Sequence, residues 1–208
     1  MAKIHANNPV VRNPPFATQV FDAARRPVAW LVVSRRLRQS ADAIFDRENP
    51  IARRFYNELR RDPAKFDREK FPWPNFDAAY MLIAFAIENL LKGLLVAKGV
   101  VTFTAQKIPA ALKGHDLRTL HGRAKTAATI NPAILESLTY MSEWRARYPF
   151  PTEIERFWPM RDDGTFKTGG GFIFPQSHHE FLAYCEALDA ELRGYLSASD
   201  LQFLDRRR

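Results

Sequence analysis

The stretch from Asp77 to Gly99 constrains this chain most: it is apolar nearly throughout, yet Glu88, Asn89 and Lys92 interrupt it. Its most apolar run, Ala78 to Ile87, is ten residues long before that cluster. A membrane span needs roughly twenty, so the spacing predicts a helix buried in protein. At about 100° per residue, Tyr80, Ile83, Ile87, Leu90, Leu91 and Leu94 fall on one side. Asp77, Glu88 and Lys92 fall on another with Met81 and Phe85, and Asn89 lies at its edge. Glu88 and Lys92 form an i,i+4 pair in the favourable order. Gly93 costs a helix interior about 1 kcal/mol relative to alanine, which points to a close packing neighbour. Gly99 is placed to stop the helix.

Around this segment the chain punctuates itself into further helices. Residues 1–27, with Asn-Pro-Pro and Arg-Pro steps, read as an irregular arm. From Val28 a helical stripe of Trp30, Val33, Leu37, Ala41, Ile44 and Phe45 appears. Asn49-Pro50 is expected to end it and to open a second helix carrying Ile51, Phe55 and Leu59. Residues 62–76 then form a loop. Asp116 is expected to cap a short helix reaching about Ala128, with Leu117, Leu120, Ala124 and Ala128 inward. Asn131-Pro132 opens a helix to about Tyr148, ended by Pro149.

The capping box Ser177-His-His-Glu180 opens the last helix, with Phe181, Tyr184, Cys185, Leu188, Leu192 and Tyr195 inward. The expectation is an all-α, up-and-down bundle of five to six helices over residues 28–198. An irregular insertion at about 150–176, able to turn a hairpin at Asp163-Gly164, and a basic tail at 199–208 complete it. Hydrophobic residues make up 46% of the chain, which suits one globular domain rather than a disordered one.

Charge is unevenly placed. Residues 1–76 hold 15 Lys/Arg against 8 Asp/Glu, whereas residues 77–208 are nearly balanced. Arg35, Arg36, Arg38, Arg53, Arg54, Arg60 and Arg61 therefore form a candidate nucleic-acid patch, the alternative being a solvated helix face. A single cysteine, Cys185, excludes an internal disulfide and reads as core. The first thirteen residues hold polar residues and prolines where a secretion signal needs an apolar run, so a cytoplasmic chain is expected.

Chemistry-bearing residues are few. Arg145 falls near the middle of the stripe Ile134, Leu138, Met141 and Tyr148, so it either pairs with Glu88 or snorkels to water. Arg147 reads as a surface partner of Glu143. His115 and His121 flank the start of the short helix. His178 and His179 point to different faces, so no metal site is expected there, and no cofactor motif occurs.

Three segments stand in a telling order: Ile87-Glu-Asn-Leu-Leu-Lys-Gly-Leu-Leu95, Gly114-His-Asp-Leu117 with Leu120, and Trp144 with Arg147-Tyr-Pro149. In this order, over residues 77–150, the chain resembles the HEPN superfamily of nucleotide-binding helical domains. The resemblance implies a helical bundle, often a homodimer, binding RNA, a nucleotide or a partner protein. It also implies toxin–antitoxin or defence systems, with a nucleotidyltransferase or an antitoxin as partner. The candidate pocket comprises Glu88, Asn89, Lys92, His115, Asp116, Arg145, Arg147 and Tyr148. Nuclease members carry an arginine followed after four to six residues by a histidine. Here Tyr148-Pro149 follow Arg147, and no histidine comes before His178. A non-catalytic binding module is therefore the first expectation. The alternatives are an atypical metal-independent RNase using His115 or His121 with Arg145 or Arg147, and a structural dimeric interaction protein.

Overall fold

A computed structural model describes residues 15–67, 70, 75–104, 107–142 and 178–206. Its elements are α1 (Pro15–Ala24), α2 (Pro27–Arg61), α3 (Asp77–Ala97), a 3-10 turn (Ala110–Leu112), α4 (Leu117–Ala124), α5 (Pro132–Tyr140), α6 (His178–Arg193) and α7 (Ala198–Asp205). Among the described residues every regular element is helical, and the architecture is an all-α bundle. The expected insertion at 150–176 and the Ser177 capping residue lie outside the described residues.

The central helix is the axle of the bundle. Each residue predicted on its apolar side is buried, and α2, α4, α5 and α6 pack around it. It is long and apolar enough to cross a membrane by composition alone, but 72% of that window is buried inside the fold. Its end is a Schellman stop: the Gly99 N–H donates to Val96 O at 3.1 Å and the Val100 N–H to Leu95 O at 3.0 Å. Gly99 takes φ +66°, where a side chain would be strained. Gly93 is the close approach that its place in the helix suggested. A Cβ there would lie 2.8 Å from Leu192 Cδ2 and 3.0 Å from Trp30 Cβ, so three helices meet at this glycine.

Pro50 does not end the first long helix. α2 runs unbroken from Pro27 to Arg61, in place of the two helices expected on either side of Asn49-Pro50. Proline removes one N–H and crowds the carbonyl four residues earlier. Pro50 and Asp46 are both exposed, so water can serve that carbonyl. On the opposite face Ala41, Phe45, Glu48, Ala52 and Phe55 are buried at 4-3-4-3 spacing through the proline, and this continuous seam holds one register. The core stripe also differs from the expected one: Leu31 is fully buried while Val33 is 45% exposed.

Both termini contribute more than was expected. Residues 15–24, assigned to an irregular arm, form α1, opened by Pro15. Trp30 Nε1 donates to Ala24 O at 2.9 Å, and Phe21 meets Phe103 edge-on at 5.9 Å, which seats α1 on the bundle. The basic tail is in large part α7, capped by Ser197 and anchored by the buried Leu204 and an Arg26–Asp200 ion pair of 2.6 Å. Leu201 and Leu204, three residues apart, were the apolar signal for it.

The remaining helix ends largely follow their signals. Asp116 caps α4, accepting from the Arg118 and Thr119 N–H groups, and Asn131 caps α5, accepting from Ala133 N–H. α4 stops at Ala124, four residues short of expectation, because Lys125 adopts a left-handed conformation with φ 44°. Tyr195, expected inward, lies beyond the end of α6 and is 50% exposed. Phe45, Phe76, Tyr80 and Phe181 form an aromatic layer. Within it the Tyr80 hydroxyl has no hydrogen-bond partner among the described residues, and burial pushes its pKa up to about 12.

Candidate functional site

Two of the polar residues of α3, Glu88 and Lys92, do not face water. Glu88 and Lys92 are 6% and 4% exposed, and Lys92 Nζ donates to Glu88 Oε1 at 2.6 Å. From the loop before α4, His115 Nδ1 stands 3.0 Å from Glu88 Oε2 and 3.2 Å from Oε1. A carboxylate paired with an ammonium only accepts, so Nδ1 carries the hydrogen and donates. Nε2 on the far edge of the ring accepts in the neutral imidazole and donates in the imidazolium, and no described residue bonds to it. The His115 side chain is 35% exposed, so among the described residues the cluster reaches the surface through this ring. The local sequence builds the arrangement: i,i+4 spacing aligns Glu88 with Lys92, and the Asp116 cap fixes the chain one residue after His115.

Of the other candidate pocket residues, Asn89 donates to Phe85 O at 2.7 Å within its own helix, and Asp116 is committed to capping. Arg145, Arg147 and Tyr148 lie outside the described residues. Among the described residues the opposite charge beside Glu88 is Lys92, its i+4 neighbour.

His121 is held elsewhere, with Nδ1 2.6 Å from the Tyr184 hydroxyl of α6. Burial lowers its pKa below the usual 6.5, against the opposing pull of the Glu191 charge. A histidine of depressed folded pKa favours the fold fully above its unfolded value and loses that advantage as pH falls through the folded one. We therefore expect stability, read as a urea midpoint, to fall between pH 7 and pH 5. His121→Gln, which cannot titrate but can still bond Tyr184, should flatten that limb. A wild-type midpoint constant over the window would refute the assignment.

A second anchor was not legible in the sequence. Lys98 Nζ donates to Ala124 O at 2.8 Å, Lys125 O at 3.1 Å and Glu191 Oε1 at 2.7 Å, tying α3, α4 and α6 together. Glu191 also accepts from the Thr126 hydroxyl and Ala127 N–H. Partial burial raises its pKa, but the Lys98 and Thr126 hydrogen bonds outweigh that and hold it below the usual value. Three segments distant in sequence supply these groups, and no local spacing announces them.

The seven arginines of the basic patch separate into two sets. Arg35 grips Asp189 with two hydrogen bonds of 2.7 and 2.8 Å, and that contact raises its pKa. Arg38 reaches Glu186 at 2.8 Å and Asp42 at 3.9 Å. A cleft of about 520 Å³ opens here between α2, α6 and α7, with Arg35, Arg36, Arg38 and Asp42, Glu186, Asp189 along it. Its charges balance, so it is no anion trap. Arg36, Arg53, Arg54, Arg60 and Arg61 are exposed.

Comparison with family models, with curated proteins and with solved structures yields no match to this chain. The functional reading rests on the residues themselves.

Proposed function

We propose that this chain is a HEPN-like binding module for RNA, presenting His115 to a phosphate or base from a buried carboxylate. The observation that carries this reading is the Glu88–Lys92–His115 arrangement, in which a core ion pair holds a half-exposed imidazole by one nitrogen. A site of this kind is preorganised, because the ring cannot turn without breaking its bond to a buried charge. The HEPN resemblance of residues 77–150 supports the same assignment, and with it a cytoplasmic homodimer acting in a toxin–antitoxin or defence setting. A small nucleotidyltransferase or an antitoxin is the kind of partner protein it implies.

A specific observation also favours a second reading, metal-independent RNA cleavage. A Glu–His dyad orients a general base: Nε2 would take the proton of a ribose 2′-hydroxyl as its oxygen attacks phosphorus. The leaving 5′-oxygen then needs a proton donor, which the described residues do not supply beside His115. Binding without cleavage is therefore the first reading.

Fluorescence anisotropy with a labelled single-stranded RNA 20-mer tests it. We expect wild-type binding in moderate salt with the RNA intact, and His115→Ala weakening it about tenfold, the scale of one lost hydrogen bond involving a charged group. Absence of binding at low salt would defeat the proposal. Cleavage that disappears in His115→Ala would replace it with the second reading.

A further inference from the structure

The cleft of about 520 Å³ between α2, α6 and α7 has the size of a small-molecule site, for which roughly 300–1,000 Å³ is usual. Leu90, Cys185 and Leu204, all buried, give it an apolar floor. Ser34 of α2 also lines it and is only 3% exposed, yet its hydroxyl has no hydrogen-bond partner among the described residues. Buried hydroxyls are nearly always bonded. A serine inside a helix commonly turns back to the carbonyl four residues earlier, as Ser137 does to Ala133. Ser34 does not, so a donor and an acceptor are left at the cleft.

Three arginines and three carboxylates line the same cleft, and they pair off unevenly. Arg35 is held by both oxygens of Asp189 at 2.7 and 2.8 Å, and Arg38 donates to Glu186 at 2.8 Å. One charge of each sign is left over. Arg36 has no ion-pair or hydrogen-bond partner among the described residues. Asp42 stands 3.9 Å from Arg38 Nε, beyond hydrogen-bond reach. Between the two on α2 lies Gln39, whose side chain is also without a partner among the described residues. Arg36, Gln39 and Asp42 recur every third residue, so they climb the helix by about 9 Å in all. At about 100° per residue Gln39 falls midway around the helix between the other two. A cation, an amide and a carboxylate thus stand in order along one wall.

We propose that this cleft binds a short apolar peptide, two or three residues long, with both ends free. Its carboxylate pairs with two donors of the Arg36 guanidinium, its ammonium pairs with Asp42, and Gln39 bonds a peptide group between them. Two or three extended residues span roughly 7–10 Å, which matches the rise from Arg36 to Asp42. The apolar side chains rest on Leu90, Cys185 and Leu204, and the Ser34 hydroxyl gains a backbone partner. A molecule that carries both charges suits a cleft whose own charges cancel, whereas a simple anion or cation does not. Leu90 is turned about 200° from Glu88 around α3, so the cleft is separate from the His115 cluster and does not depend on the RNA reading.

The test is titration calorimetry of the full chain with the dipeptide Leu-Leu and the tripeptide Leu-Leu-Leu. At least one of them should bind at millimolar concentration or below. Acetylating its amino end, or amidating its carboxyl end, should each weaken binding about tenfold, the scale of one lost charge-assisted hydrogen bond. Arg36→Gln and Asp42→Asn should each weaken the parent peptide by a similar factor. In addition, Arg36→Gln should make the carboxyl amide bind as well as the free acid, because the carboxylate no longer has a partner. The ligand series decides the matter by itself if a variant folds poorly. Failure of both peptides to bind at millimolar concentration would overturn the proposal. An acetylated peptide that binds as tightly as its parent would overturn it too, since the cleft would then hold an anion alone. Unchanged affinity in both Arg36→Gln and Asp42→Asn would place the peptide elsewhere and overturn the site.

Discussion

Lys92→Ala should lower the stability of the fold by about 3–5 kcal/mol, the range seen when one member of a buried ion pair is removed. The loss comes from Glu88, 6% exposed in the native fold, which among the described residues would keep only the His115 N–H to satisfy it. Removing both charges should be far milder. Glu88→Leu with Lys92→Met replaces the pair by apolar groups of similar bulk, and such exchanges are often neutral or stabilising. Urea denaturation of the single and double variants measures the contrast. A single variant within 1 kcal/mol of wild type would show that water reaches the pair and that it is not a core element. The same double variant should still lose RNA affinity, because His115 is no longer held, and this separates its role in the site from its role in the fold.

Gly93→Val should cost about 2–3 kcal/mol, near the upper end of typical overpacking. A Cβ at this position already falls 2.8 Å from Leu192 Cδ2 and 3.0 Å from Trp30 Cβ. The methyl of Leu192 can rotate away, but Trp30 Cβ is fixed to the backbone of α2. Gly93→Ala should cost less, since a gain of about 1 kcal/mol in helix propensity offsets part of the clash. Leu192→Ala in the Gly93→Val background should recover part of the loss. Additive effects in that double variant would mean that α3 and α6 do not meet at this glycine.

How much was legible in the sequence follows from how local each signal is. The burial of Tyr80, Ile83, Ile87, Leu90, Leu91 and Leu94, the caps at Asp116 and Asn131, and the stop at Gly99 each depend on residues within about one turn. All were visible. Pro50 misled because its cost is local while its remedy, the buried seam on both sides, is a property of the whole helix. The Glu88–Lys92 pair was readable from i,i+4 spacing, whereas the Nδ1 bond of His115 spans 27 residues and depends on how the loop before α4 folds back. The arginines were read as one patch because composition counts charges without directions. Asp189 and Glu186, about 150 residues later in the chain, decide which of them turn inward.

Cys185 is the only cysteine of the chain, 1% exposed, with its thiol pushed up to about 12 by burial. A thiol so placed is slow to react while α6 lies against its neighbours, because reagent must reach it and the thiolate must form. The molecule thereby carries a built-in clock: the pace at which a thiol reagent consumes Cys185 follows how often the helices part. Bound RNA that braced α2 against α6 would slow that clock without touching the sulfur.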